Sequence, residues 1–94
     1  MLLRDLLAPL LPVQVTGDDS LEITGLTADS RKVQPGCLFV CLTGFTVDGH
    51  AFAAQAVENG AVAVLAEQDV DVPATVVRVP DTRRAMAMLA DRFY

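Results

Sequence analysis

The sequence predicts one α/β domain: a small mixed or largely parallel sheet with helices on both faces. Two observations carry this. Short apolar runs alternate with segments of helical period along the 94 residues, the order that builds strands joined by crossover helices. Two of those runs, CLFVCL at 37–42 and AVAVLA at 61–66, are apolar at every position, as strands covered on both sides must be. A composition of 52% hydrophobic and 20% charged residues suits a folded core.

The elements follow in order. In MLLRDLLAPLL, Leu2, Leu3, Leu6, Leu7 and Leu10 recur at helical spacing, which predicts a short amphipathic helix. Arg4 and Asp5 interrupt the apolar stretch and no small-residue cleavage site follows, so it does not read as a signal peptide. No run approaches the ~18–20 apolar residues of a membrane span. A cytoplasmic protein is the expectation. Pro12 to Ser20 reads as a loop. LEITGL, 21–26, alternates like a strand with one face covered. VQPG, 33–36, predicts a type II turn, with Gly36 at the positive-φ position. In the next strand, Cys37, Phe39 and Cys41 face one way. Roughly 13 Å between the two cysteine Cα atoms, at ~3.3 Å per residue, rules out a disulfide and predicts buried free thiols.

Asp48 reads as the N-cap of a helix GHAFAAQAVEN, buried through Phe52, Ala53, Ala56 and Val57 and stopped by Asn59-Gly60. Residues 61–66 form a strand, EQDVDVP an acidic loop, and ATVVRV, 74–79, a β-branched strand. Pro80 and Asp81 open a last helix with Ala85, Met86, Leu89, Ala90 and Phe93 on one face. Phe93-Tyr94 falls inside that pattern with no stop residue, which predicts that residues 1–94 are one domain of a longer chain.

Twelve acidic residues against seven basic ones give a net charge of −5. That offers no basic face for nucleic acid or an anionic membrane, so a phosphate would need local donors. The sequence holds no P-loop, no GxGxxG and a single histidine. Asp29 and Asp48 are two carboxylates without a metal cluster. Neither catalytic residues nor a metal site are predicted. Binding is the better reading. TADSRKV (27–33) and GFTVDGH (44–50) both follow strands, and open α/β sheets bind ligands at the carboxyl ends of strands. Ser30 is either a turn cap or a hydroxyl for a ligand. Arg31 and Lys32 are either solvated or set to meet a phosphate. Gly44 either makes a turn or admits a ligand to the backbone of Phe45, Thr46 and Val47. Phe45 packs on its own domain or covers a flat base. Asp48 and His50 read best as capping and first-turn residues, at a helix start whose free N–H groups suit an anion.

Together these parts resemble the N-terminal domain of the Mur ligases, most closely its tripeptide-synthetase branch. The shared pattern is Asp29-Ser30-Arg31, Pro35-Gly36, Leu38-Phe39-Val40, a loop from Gly44 to His50 ending Asp-Gly-His, and Phe52 through Ala56 to Gly60-Ala61. LRDLLAPL and LADRFY extend the likeness over the whole chain. The resemblance implies a cytoplasmic three-domain ligase that adds a third amino acid to UDP-N-acetylmuramoyl-L-alanyl-D-glutamate, using ATP and magnesium. Its first domain docks the UDP end of that substrate. Carried over, Ser30 and the backbone at Ala28 contact the uridine diphosphate, and Phe45, Thr46 and Val47 form the other side of the pocket. Asp29, Arg31, Gly44, Asp48 and His50 stand as supporting residues. The GxxGK[ST] loop and the magnesium-linked lysine of the family's central domain are absent here. The resemblance therefore leaves ATP and magnesium to the central and C-terminal domains of the parent, and residues 1–94 inert as a ligase. Two alternatives remain: the D-alanyl-D-alanine-adding relative, and a scaffold domain of the same fold.

Overall fold

The computed structural model describes residues 1–10, 13–42 and 49–94. Five strands form one sheet: β1 (Gln14–Thr16), β2 (Gly25–Thr27), β3 (Cys37–Val40), β4 (Ala63–Ala66) and β5 (Thr75–Arg78), in the order β1-β5-β4-β3-β2. Strands β2 to β5 are parallel, and β1 joins the β5 edge antiparallel. The sheet is thus mixed and largely parallel, as the alternation of runs predicts.

Side-chain alternation splits the core. Leu38, Val40, Ala63, Leu65 and Val77 point to one face, where α1 (Leu3–Leu6) and α3 (Thr82–Phe93) pack through Leu3, Leu6, Ala85 and Leu89. Cys37, Phe39, Cys41, Val64, Ala66 and Val76 point to the other, covered by Ala53 and Ala56 of α2 (Ala53–Glu58). Both cysteines are free thiols buried on the α2 side. Every residue of β3 and β4 is buried, which is why these runs carry no polar alternation.

The local signals work as chemistry requires. Cys37 N–H donates to the Gln34 carbonyl at 3.1 Å, and Gly36 has φ +91°, the geometry of the expected turn. At the end of α2, Gly60 takes φ +119° while Gly60 N and Ala61 N donate to Val57 O and Ala56 O at 3.1 and 3.0 Å. The Asp81 carboxylate caps α3 by accepting from Arg84 N at 3.1 Å.

Three expectations need correction. The segment read as a loop at 12–20 contains β1, a strand made by pairing with β5 rather than by propensity. LEITGL contributes only Gly25 and Leu26 to regular strand. Upstream, Leu21 O and Ile23 N bond the N-terminal segment at Leu3 N and Met1 O instead, both at 2.8 Å, and Glu22 forms a lone bridge with Leu2. The helix after the 44–50 loop begins with a 3-10 turn, Gly49–Phe52. That turn shifts the helical phase, so Phe52 is 38% exposed rather than part of the buried stripe. The expected Asp48 cap lies outside the described residues.

Candidate strand-exit cleft

Because β2 to β5 run parallel, their carboxyl ends share one edge of the sheet. There the chain forms a cleft of about 580 Å³, lined by residues 28–31, Leu42, Gly49, Phe52, Gln55 and Arg83. Three elements must meet for this to exist, and each is fixed by a specific contact.

The first wall follows β2. Asp29 N-caps a 3-10 turn, Ser30–Lys32, with its carboxylate accepting from Arg31 N at 2.9 Å. The same carboxylate holds the Arg31 side chain through Nε at 3.1 Å and Nη2 at 3.0 Å. These bonds, led by the side-chain pair, lower the Asp29 pKa to about 2. Ser30 is only 8% exposed yet lines the cleft. Its carbonyl accepts from Asn59 Nδ2 at 2.9 Å, which ties this turn to the end of α2. Its hydroxyl has no hydrogen-bond partner among the described residues. A hydroxyl at a cleft wall can both donate to and accept from a polar group.

The second wall is the start of the α2 segment. Gly49 N–H donates to the Leu42 carbonyl at 2.7 Å. A Cβ at Gly49 would lie 2.6 Å from Leu42 N and 2.8 Å from Leu42 O. Only glycine lets the helix start touch the exit of β3. Phe52 then presents a partly exposed ring to the cleft, with Gln55 one turn on.

The third wall is the first turn of α3. Thr82, 1% exposed, donates its hydroxyl to the Cys41 carbonyl at 2.7 Å. Glu67 Oε2 lies 3.1 Å from that hydroxyl and accepts from Thr82 N at 2.8 Å. The exits of β3 and β4 thereby position α3, and Arg83 beside them lines the cleft.

Of the sequence-derived site residues, Ala28, Asp29, Ser30 and Arg31 come together here. Gly44, Phe45, Thr46, Val47 and Asp48 lie outside the described residues. His50 does not line this cleft. Its Nε2 accepts from Glu67 N at 3.0 Å, so it braces the α2 segment against the end of β4. Phe52, Gln55 and Arg83 were not singled out by sequence. Phe52 read as core, and nothing local distinguishes Arg83 from Arg84.

Among the described residues, no group of three His, Cys, Asp or Glu side chains could hold a metal ion, and no helix is long and apolar enough to cross a membrane. The ATP–magnesium chemistry that the family resemblance implies has no fitting residues in the described chain. No chemical step is assigned to it.

The largely parallel sheet has an open cleft at its strand ends, lined by a serine, an aromatic ring and two guanidinium groups. The family is specific. The model of the Mur ligase family, catalytic domain, matches residues 22–94, and the chain belongs to that family. It is 55% identical over all 94 residues to the UDP-N-acetylmuramoyl-L-alanyl-D-glutamate--2,6-diaminopimelate ligase of Geobacillus thermodenitrificans, of which it covers 19%. It is 58% identical over 76 residues, 81% of the chain, to the enzyme of the same name from Listeria monocytogenes, covering 16% of it. The chain thus spans less than a fifth of the length of these curated relatives. Among solved structures, MurF from Acinetobacter baumannii superimposes with a TM-score of 0.67 at 35% identity, covering 70% of this chain and 15% of that one. MurF from Thermotoga maritima in complex with ADP gives 0.65 at 29% identity over 77% of this chain and 16% of that one.

Proposed function

We propose that this chain is the N-terminal substrate-docking domain of a three-domain, ATP-dependent amide-forming ligase. That enzyme adds the third amino acid to UDP-N-acetylmuramoyl-L-alanyl-D-glutamate, in peptidoglycan precursor synthesis in the cytoplasm. The domain holds the uridine diphosphate end of the substrate. Ser30 and the backbone at Ala28 supply one side of the pocket, and the loop of Phe45, Thr46 and Val47 the other. ATP, magnesium and the amide-forming chemistry belong to the central and C-terminal domains. The names of the relatives favour 2,6-diaminopimelate as the incoming amino acid.

One observation carries the reading: Ser30 at the wall of a strand-exit cleft, its hydroxyl unengaged by the described residues, in a chain 55% identical along its length to such a ligase. A neutral uracil and its ribose need directional bonds and a flat apolar surface rather than a strong positive field. An acidic domain with a hydroxyl and an aromatic ring can supply both. The dipeptide-adding relatives fit less closely, since the solved MurF structure from Acinetobacter is 35% identical over 70% of the chain.

The test is a titration of the ¹⁵N-labelled chain with UDP-N-acetylmuramoyl-L-alanyl-D-glutamate and with UDP, followed by amide shifts. Saturable shifts at Ala28, Ser30 and Phe45 to Val47 are expected. Saturable binding that leaves these amides unmoved would sink the assignment. An absence of binding at millimolar ligand would favour the scaffold reading.

A further inference from the structure

We infer that Asn59, at the end of α2 and outside the cleft, is a positioning residue for its ligand: it orients Ser30 and ties the Ser30 wall to the Phe52 wall. The inference rests on the reading of the cleft as a nucleotide site and adds to it a residue that touches no ligand.

The peptide group joining Ser30 to Arg31 is planar, so gripping its two polar ends fixes its orientation. At one end, Arg31 N donates to Asp29 Oδ1 at 2.9 Å. At the other, the Ser30 carbonyl accepts from Asn59 Nδ2, also at 2.9 Å. Asp29 belongs to the turn and moves with it. Asn59 is 29 residues further along and anchors the turn to a different element. With both ends held, ψ of Ser30 is restricted, and so is the direction in which Ser30 presents its hydroxyl.

The support is itself firm. Asn59 N donates to Gln55 O at 3.0 Å. One residue on, Gly60 O accepts from Gly36 N at 3.0 Å, and a Cβ on Gly60 would lie 2.9 Å from both Pro35 Cα and Pro35 N. Asn59 and Gly60 therefore hold the 30–36 segment at its two ends. The same helical segment brings Phe52 and Gln55 to the cleft, so both walls share one support. Loss of the Asn59 bond releases the Ser30 end and leaves the Gly36 end held. A ligand that spans the two walls needs them within about 0.5 Å of one spacing.

An asparagine at a helix end commonly serves by adopting positive φ. Here Asn59 has φ −81°, and Gly60 takes the positive value. The backbone gives no reason for asparagine at this position; the side-chain bond to Ser30 does.

The test is a double-mutant cycle in UDP affinity, measured by amide-shift titration of the unaltered chain, Ser30→Ala, Asn59→Ala and the double variant. Loss of one hydrogen bond's contribution should weaken UDP binding about fivefold in Asn59→Ala. Asn59→Leu, which keeps the bulk and removes the donor, should lose as much. With the serine hydroxyl already absent, the further change Asn59→Ala should alter the affinity by less than about twofold, because Asn59 acts through Ser30. Glu58→Gln, at the adjacent exposed position, should bind UDP like the unaltered chain. Asn59 is exposed, and a dispersed amide spectrum checks that each variant is folded. Unchanged affinity in Asn59→Ala would overturn the inference. So would an equal loss with and without the Ser30 hydroxyl, the mark of a general loosening of the domain. In either case the cleft reading would survive, because the unaltered chain binds. If the unaltered chain bound no UDP, the cleft reading itself would fall and take this inference with it.

Discussion

Gly49→Ala should destabilise the domain by about 1–3 kcal/mol, although it places a better helix former in a helical turn. The added Cβ would sit 2.6 Å from Leu42 N, 2.8 Å from Leu42 O and 3.1 Å from Cys41 C. All three atoms are backbone, so no side chain can rotate away. The strand exit cannot retreat easily either: Cys41 N bonds Leu65 O at 2.9 Å and Cys41 O accepts from Thr82. Restoring van der Waals separation requires the helix start to move by roughly 1 Å. That movement breaks the 2.7 Å bond from Gly49 N to Leu42 O. The lost bond costs about 1 kcal/mol and the residual overpacking about 1–3 kcal/mol. Alanine returns up to about 1 kcal/mol of helix propensity. Urea unfolding followed by far-UV circular dichroism measures the balance. With a slope near 1 kcal/mol per molar for a chain of this size, the midpoint should fall by about 1–3 M. A stability within about 0.5 kcal/mol of the unaltered chain, the range of an ordinary surface change, would refute the argument that the strand exit is rigid.

Three further outcomes are expected. Thr82→Val keeps the shape but removes the bond from the Thr82 hydroxyl to the Cys41 carbonyl, and should cost about 1 kcal/mol in the same urea experiment. Asp29 has a pKa of about 2 in the folded chain against 3.8 for the free group. Its depressed value contributes stability that is fully present above about pH 4 and lost as the pH falls toward 2. The melting temperatures of the unaltered chain and Asp29→Asn should therefore differ at pH 5 and converge on acidification; curves that stay parallel would contradict this. Phe52→Ala removes a ring that is 38% exposed. Stability should change by less than about 1 kcal/mol, while UDP and uridine should both weaken by about 1 kcal/mol as stacking surface is lost. Calorimetric titration that finds only UDP affected would remove Phe52 from the base-binding role.

The parts of the fold that were legible in the sequence are those whose signal is local. The alternation of Cys37, Phe39 and Cys41 against Leu38 and Val40 names the two faces of β3, and the core divides along that line. Gly36, Gly60 and Asp81 mark a turn, a helix end and a helix start through backbone chemistry that needs no distant partner. Strand β1 was not legible, because Gln14–Thr16 is a strand only by virtue of β5. Within the site, Ser30 and Asp29 stood out by motif and position after a strand. Phe52 misled because its phase was read from α-helical geometry while the turn is 3-10. Arg83 differs from Arg84 only in which side of α3 faces the cleft, and that orientation is set by Thr82 reaching across to Cys41, 41 residues away.

The antiparallel strand at the sheet's edge bears on how the chain reaches this state. Strand β1 and helix α1 are synthesised first, yet their partners come last. Thr75 closes on Asp18 across 57 residues, and Arg92 Nε reaches Asp5 O across 87. Closing such long loops is entropically costly before any contact rewards it. The parallel core of β2, β3 and β4 can pair in the order in which it emerges from the ribosome. Residues 1–4 can pair with 19–23 as soon as those emerge, but β1 must wait for β5, and the apolar side of α1 for α3. Strand β1 is therefore the strand most exposed to mispairing while the chain is being made, and the domain should acquire its full cooperativity only when α3 is complete.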